Sequence, residues 1–170
     1  MPENVHSLMS RNSLARWYGV AAAVVVLDQI TKQVVLGRFT PGESLPVTSF
    51  FNLVLVFNKG AAFSFLASAQ GWQTPVLITV SVLAIAVVSW MLWRNPSRGL
   101  LDAGLCLILG GAIGNLIDRI AYGKVVDFLD LHVLGWHWPA FNVADSAISV
   151  GAALLIIESF MQRDTGKDPA

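Results

Sequence analysis

The chain has 170 residues, of which 55% are hydrophobic and 13% are charged, and its mean hydropathy is +0.62. These values exclude an ordinary soluble domain and indicate an integral membrane protein with one domain. Eleven basic residues balance eleven acidic residues, which argues against nucleic acid as a partner.

Four apolar segments are long enough to cross a bilayer. They cover residues 17–36, 75–93, 99–117 and 139–161. The first follows a polar start and resumes its apolar character beyond Asp28, so it is interpreted as a retained anchor rather than as a cleaved signal peptide. The second has no charged residue. The sequence therefore predicts a mainly α protein with four transmembrane helices.

Two polar loops separate these spans. In the loop 37–74, the Val, Phe and Leu residues of 47–57 predict strands. The sequence Asn58-Lys59-Gly60 predicts a tight turn, because Asn and Gly tolerate positive φ. The segment 61–69 has the pattern of a short interfacial helix. The second loop, 118–138, is expected to lie at the level of the membrane interface.

The distribution of Lys and Arg predicts the orientation. Four spans place both termini on one side of the membrane, but the raw count of basic residues hardly distinguishes the two sides. When Lys32 and Arg119 are set aside as site residues, the excess of basic residues places the termini in the cytoplasm. The two long loops then lie outside.

Polar side chains concentrate at the outer ends of the spans. A charge inside a bilayer costs about 2.5 to 3.5 kcal/mol on insertion scales, so such residues are functional candidates by default. Side chains from different spans that meet at one depth are what an active site requires. The residues at these ends are Asp28, Lys32, Asn115, Asp118, Arg119, Asp127, Asn142 and Asp145.

Asp145 lies at the start of the last span and needs a partner. The nearest acids before it are Asp130 and Asp127, and only Asp127 follows an uninterrupted apolar stretch. Two carboxylates held close together cannot both ionise easily, so the pair would share a proton and separate an acid from a base. Ser64 and Ser146 are alternative nucleophiles, but spacing alone pairs neither with a base.

Several of these residues also have a purely structural interpretation. Asp28 and Lys32 have the spacing of an i,i+4 helix pair. The two asparagines of the spans could satisfy helix ends, and Asn58 with Gly60 could form only a turn. His132 and His137 lack any accompanying metal-binding motif, so no metal or other cofactor is expected. Residue patterns alone therefore predict a membrane protein with a pair of carboxylates at its outer face, and they do not identify its function.

Five short motifs occur in order between residues 28 and 149. They are Asp28-Gln29-x-Thr31-Lys32, Asn58-x-Gly60-Ala61-Ala62-Phe63-Ser64, Gly110-Gly111-x-x-Gly114-Asn115-x-x-Asp118-Arg119, Val125-Val126-Asp127-Phe128 and Phe141-Asn142-x-Ala144-Asp145-Ser146. Together they resemble the motifs of the bacterial lipoprotein signal peptidases, also called signal peptidase II. The resemblance extends over most of the chain.

This resemblance implies an aspartic endopeptidase of the bacterial inner membrane. Such an enzyme removes signal peptides from prolipoproteins just before a diacylglyceryl-modified cysteine, and globomycin-type cyclic peptides inhibit it. The resemblance implies that Asp127 and Asp145 are catalytic at the periplasmic face, beside a small β-sheet cradle. It also implies a substrate-binding or supporting role for Asp28, Lys32, Asn58, Gly60, Asn115, Asp118, Arg119 and Asn142.

Two other functions are alternatives to this one. A small proton-coupled membrane carrier could relay protons through Asp127 and Asp145 and hold an anion at Lys32 or Arg119. It should show alternating access and preferably an inverted repeat, and the sequence has no internal repeat. A structural assembly subunit would leave the polar cluster unexplained. In the enzyme, the substrate's acyl chains predict a site that opens to lipid between helices.

Overall fold

The computed structural model describes residues 3–60, 72–94 and 99–165. The helices are α1 (Glu3–Arg38), α2 (Gln73–Arg94), α3 (Gly99–Tyr122) and α4 (Val143–Thr165), and the strands are β1 (Ser44–Pro46), β2 (Phe51–Asn58), β3 (Val125–Val133) and β4 (Trp136–His137). Each helix contains a segment long and apolar enough to span a membrane. The prediction of four transmembrane helices with a small sheet is therefore confirmed. The predicted interfacial helix, 61–69, lies outside the described residues.

Helix α3 is the centre of the helical part, since it contacts α1, α2 and α4. Glycines allow these close contacts. A Cβ atom added at Gly104 would lie 2.8 Å from the carbonyl oxygen of Gly151 in α4, and one added at Gly110 would lie 2.7 Å from the carbonyl oxygen of Ala21 in α1. The buried residues Leu105 and Leu109 fill the core between them.

The four strands form one antiparallel sheet in the order β1-β2-β3-β4. Strand β3 contacts both α1 and α3 and so joins the sheet to the helices. Val126 and Phe128 of β3 pack with Val35 and Leu55 in a second buried cluster. Because side chains alternate along a strand, Asp127 points away from that cluster. The sequence pattern predicted strands before residue 58 and missed β3 and β4.

Two helix ends lie at different residues from the ends of the predicted spans, and both differences affect the position of site residues. Helix α3 continues to Tyr122, where Gly123 with a φ of 69° ends it, so Asp118 and Arg119 are helical rather than in the predicted loop. Helix α4 begins at Val143, not at residue 139. The preceding residues instead extend the sheet, since the Trp138 and Phe141 amides donate to carbonyl oxygens of β3.

Candidate active site

A buried lysine links the first and third helices. Lys32 Nζ lies 2.8 Å from Asp28 Oδ2, 2.9 Å from Asp118 Oδ2 and 3.1 Å from Asn115 Oδ1. The side chain is 1% exposed, so its three N–H donors need protein acceptors, and these three oxygens supply them. The predicted i,i+4 pair is therefore part of a buried ionic cluster, in which each charge offsets the desolvation of its neighbours.

The two acids of this cluster also hold other elements in place. Asp28 Oδ1 accepts a 2.9 Å hydrogen bond from the Ala144 amide, in the first turn of α4. Asp118 Oδ2 accepts one of 2.9 Å from the Val126 amide, at the start of β3. A carboxylate at a helix N-terminus is stabilised by the unpaired amides there. The lysine cluster thus fixes α1, α3, α4 and β3 relative to one another.

Asn142 forms the N-terminal cap of α4 and also contacts Asp127. Its Oδ1 accepts a 2.8 Å hydrogen bond from the Asp145 amide, and the Asn142 amide donates to Asp145 Oδ2 at 3.3 Å. This reciprocal pair is a capping box. The Nδ2 of Asn142 donates to Asp127 Oδ1 at 2.7 Å. This asparagine therefore caps α4 and contacts Asp127 with the same side chain.

Asn115 is held in one orientation by the lysine. Its Oδ1 faces Lys32 Nζ, so its Nδ2 is turned toward Asp145, where it donates to Oδ1 at 2.7 Å. Asp127 and Asp145 therefore each accept a hydrogen bond from a side-chain amide, Asp127 from Asn142 and Asp145 from Asn115. A hydrogen bond of this kind stabilises a carboxylate, but less than a cation would.

Asp127 is 1% exposed and carries the clearest electrostatic perturbation outside the spans. Burial and the negative charge of Asp145 raise the pKa of Asp127 to about 7, against the lowering effect of hydrogen bonds from Asn58 and Asn142. The proximity of Asp145 is therefore part of the reason why Asp127 binds its proton near neutral pH. This is the behaviour expected of two acids that share a proton.

Two predicted residues lie at the edge of this network. The Arg119 guanidinium donates to the Asn115 carbonyl oxygen at 3.3 Å and interacts electrostatically with Asp145 and Asp127. Gly60 has a φ of 102°, and its amide donates to Asn58 Oδ1 at 2.8 Å. This Asx turn supports the turn prediction and orients Asn58 at the end of β2.

A cleft of about 390 Å³ lies beside Asp145. One wall is the first half of α4, including Ser149 and Val150, and the other consists of Leu131, Trp138 and Phe141. Because α4 is one of the candidate spans, the cleft borders a helix that is apolar enough to cross a membrane.

The structure separates Asp130 from this site. Asp130 lies on the opposite face of β3, where it accepts hydrogen bonds from Asn52 Nδ2 at 2.8 Å and contacts His137 Nδ1 at 2.9 Å. His132 stacks on His137 with ring centroids 4.9 Å apart. Of the two acids considered as partners for Asp145, only Asp127 is bonded into the network.

Some hydrogen-bonding groups of the network were not predicted from the sequence. Gln29 donates to Asp118 Oδ1 at 3.0 Å and to the Gly114 carbonyl oxygen at 3.2 Å. Its place beside Asp28 in the first motif could have indicated it. The contributions of Val126 and Ala144 come from backbone amides, which no residue pattern distinguishes.

The amino-acid sequence is similar to those of known bacterial proteins. The model of the family described as signal peptidase (SPase) II matches residues 20–161. A lipoprotein signal peptidase of Janthinobacterium sp. (strain Marseille) is 52% identical over 167 residues, covering 98% of this chain and 100% of that protein. One from Cupriavidus necator is 57% identical over 142 residues, covering 84% of this chain and 81% of that protein.

Two solved structures share the fold. Both are described as bacterial membrane enzymes studied by the in meso method. The first gives a TM-score of 0.81 at 27% identity, covering 92% of this chain and 94% of the other. The second gives a TM-score of 0.75 at 29% identity, covering 84% of this chain and 91% of the other.

Proposed function

Because this chain belongs to the signal peptidase II family of aspartic proteases, we propose that Asp127 and Asp145 together cleave prolipoprotein signal peptides. The bond cleaved lies just before the diacylglyceryl-modified cysteine. The main support is the network in which Asn142 and Asn115 each direct an N–H to one of the two carboxylates. An ionised acid beside a protonated one is the arrangement that activates water without a covalent intermediate.

In the proposed reaction, Asp127 begins protonated and Asp145 ionised. Asp145 accepts a proton from a water molecule, whose oxygen attacks the scissile carbonyl carbon, while Asp127 donates its proton to the carbonyl oxygen. The resulting diol collapses when Asp145 protonates the leaving amine nitrogen, the C–N bond breaks, and Asp127 recovers a proton from a diol hydroxyl. The raised pKa of Asp127 supports its role as the initial acid.

The charges of the network support the shared proton. Four carboxyl groups lie close together: Asp28, Asp118, Asp127 and Asp145. Lys32 and Arg119 supply two positive charges. If all four acids ionised, the buried region would hold two excess negative charges, and one proton on the Asp127 and Asp145 pair reduces this to one. Buried charges without partners are costly, so the singly protonated pair is favoured.

The cleft beside Asp145 fits a lipidated substrate. Its apolar walls run along the outer part of α4, so the diacylglyceryl chains and the signal helix can stay in the membrane while the peptide bond reaches the carboxylates. Burial of acyl chains supplies about 0.8 kcal/mol per CH₂ group. Globomycin-type cyclic peptides are expected to inhibit the protein by occupying this cleft.

The Asp145→Asn variant tests the proposal. With detergent-purified protein and a lipidated precursor peptide, release of the signal fragment should fall at least ~10³-fold, which is about 4 kcal/mol of barrier. The Asp127→Asn/Asp145→Asn double variant should be little worse, because the residues act as a unit. Glu158→Gln makes the same chemical change in the same helix but away from the cleft, and it should keep near wild-type activity.

Two results would overturn this assignment. Fragment release by folded, monodisperse Asp145→Asn at a rate near wild type would exclude the aspartic mechanism. Failure of the wild-type protein to release any signal fragment would exclude the protease and favour the proton-coupled carrier, which would also lose its function in these variants.

The proposed location is the bacterial inner membrane, with both termini in the cytoplasm and the site at the periplasmic face. Single cysteines introduced at Ser44 and at Ser97, in a Cys106→Ala background, test this orientation. A membrane-impermeant thiol reagent should label position 44 in intact spheroplasts and position 97 only after lysis. Labelling of both positions from the same side would contradict the four-span topology, and the reverse pattern would invert it.

A further inference from the structure

The β3 and β4 strands are joined by a turn with an unusual residue. Val133 pairs with Trp136, so the turn consists of Leu134 and Gly135, whose φ values are 51° and 83°. Two positive φ angles in a two-residue hairpin loop define a type I′ turn, which favours Asn-Gly. A leucine is strained in this backbone conformation. Leu134 is also fully exposed, so packing within the described chain does not compensate for that strain.

The surroundings of Leu134 are apolar as well. Val133, Trp136, Trp138 and Phe50 are each more than half exposed. We call these residues, together with Leu131 and Leu134, the hairpin patch. All of them except Leu134 line a cavity of about 260 Å³, together with His132. An apolar surface of this extent usually marks an interaction site.

The position of the hairpin patch indicates what covers it. Leu131 and Trp138 line this cavity and also the cleft beside Asp145, so the two surfaces are continuous. The opposite wall of the cleft includes Ser149 and Val150 of α4, within the candidate span Val143–Met161. The hairpin therefore overhangs the lipid-facing side of α4 at the outer end of that helix.

We propose that the β3–β4 hairpin is a membrane anchor, with Leu134 inserted among the lipids of the leaflet next to the outer end of α4. Trp136 and Trp138 then lie at the level of the lipid headgroups, where tryptophan is enriched. Burial of the leucine side chain in lipid offsets the strained turn. The hairpin patch contains neither Asp127 nor Asp145, so its role as an anchor does not depend on the proteolytic activity.

Site-specific fluorescence can measure this insertion. In a Cys106→Ala background, the environment-sensitive fluorophore NBD is attached to a single cysteine at Leu134 or, as the control, at Ser44 on the edge strand farthest from β4. The protein is reconstituted at low density in vesicles of phosphatidylethanolamine and phosphatidylglycerol. Lipids that carry a nitroxide near the headgroup end of the acyl chain should quench the label at position 134 severalfold more than the label at position 44.

Leu134→Asn separates insertion from folding. Asn-Gly suits a type I′ turn, so this change should preserve or raise the thermal stability. With the fluorophore at Val133→Cys, adding Leu134→Asn should lower the lipid quenching severalfold.

Equal quenching at positions 134 and 44 would overturn the proposal, as would unchanged quenching at position 133 in the Leu134→Asn variant. A blue-shifted label at position 134 that lipid does not quench would show that protein, rather than bilayer, covers the hairpin.

Discussion

Asp127 and Asp130 belong to the same strand, three residues apart, yet they behave as opposite kinds of acid. Burial and the charge of Asp145 raise the pKa of Asp127 to about 7. At Asp130, desolvation also acts to raise the pKa, but hydrogen bonds from His137 and Asn52 outweigh it and lower the pKa below its usual value. One carboxyl group therefore holds a proton near neutral pH, and the other is firmly ionised.

The difference comes from the partners that each face of β3 provides. Asp130 accepts a hydrogen bond from the Asn52 side chain and contacts the imidazole of His137. Asp127 lies against neutral amides and a second carboxyl group, while the Lys32 ammonium contacts Asp28 and Asp118 instead. Because side chains alternate along a strand, one strand thus carries an acid of raised pKa on one face and an acid of lowered pKa on the other.

The largest expected effect follows from exchanging the two acids in turn for amides. Asp127→Asn should lower the release of the signal fragment by at least ~10³-fold, because the acid of the proposed pair is lost. Asp130→Asn should stay within about threefold of wild type, since its partners, Asn52 and His137, lie on the other face of β3. Rates on a lipidated precursor measure both variants. Similar losses in the two would mean that the faces of β3 do not differ in function.

The next largest effect concerns stability and compares Lys32, in the cluster next to Asp127, with His137, the partner of Asp130. Lys32→Met leaves Asp28 and Asp118 buried without their shared counter-charge, so we expect a loss of about 3 to 5 kcal/mol in the free energy of unfolding. His137→Gln removes a mostly exposed partner of Asp130 and should cost about 1 kcal/mol or less. Thermal and denaturant unfolding in detergent compare the two.

A second variant checks the cause of the Lys32 effect. Adding Asp118→Asn to Lys32→Met should recover part of the stability, because one uncompensated charge disappears. A Lys32→Met protein as stable as His137→Gln would contradict the view that the lysine cluster fixes the helices.

The smallest effect is a dependence on pH. Above the pKa of about 7, Asp127 loses its proton, so the rate should fall about tenfold per pH unit if that proton is required. Since the folded protein binds this proton more tightly than the unfolded chain, the stability contributed by Asp127 is full at acidic pH and is lost as pH rises through about 7.

The Asp127→Asn variant should remove that loss of stability, whereas Asp130→Asn should not. Thermal unfolding of the three proteins at pH 5 and pH 9 would show this. A wild-type rate that stays constant up to pH 9 would argue against a protonated Asp127.

Features set by composition could be predicted from the sequence, and those set by tertiary hydrogen bonds could not. The spans were visible as apolar runs, and the motifs located every residue that the network joins through Lys32. Strand β3 was missed because Asp127 and Asp130 interrupt the alternation of apolar and polar residues that predicts a half-buried strand. In the folded protein both carboxyl groups are buried and accept hydrogen bonds, one on each face of the strand.

The start of α4 was misplaced for a similar reason. Trp138 and Phe141 are apolar and continue the hydrophobic run, but their amides pair with β3. The capping box of Asn142 and Asp145, with its three-residue spacing, was the local feature that marks the helix start.

The hydrogen bond from the Ala144 amide to Asp28 joins residues 116 positions apart, at the first and last helices. During synthesis, most of the chain is therefore made before Asp28 can contact α4. Until α4 arrives, Asp127 lacks Asp145, and Asp28 lacks the helix end that it caps. On the proposed mechanism, a chain that has not yet acquired α4 has only one of the two carboxyl groups, so the order of synthesis keeps the protein inactive until its last helix is in place.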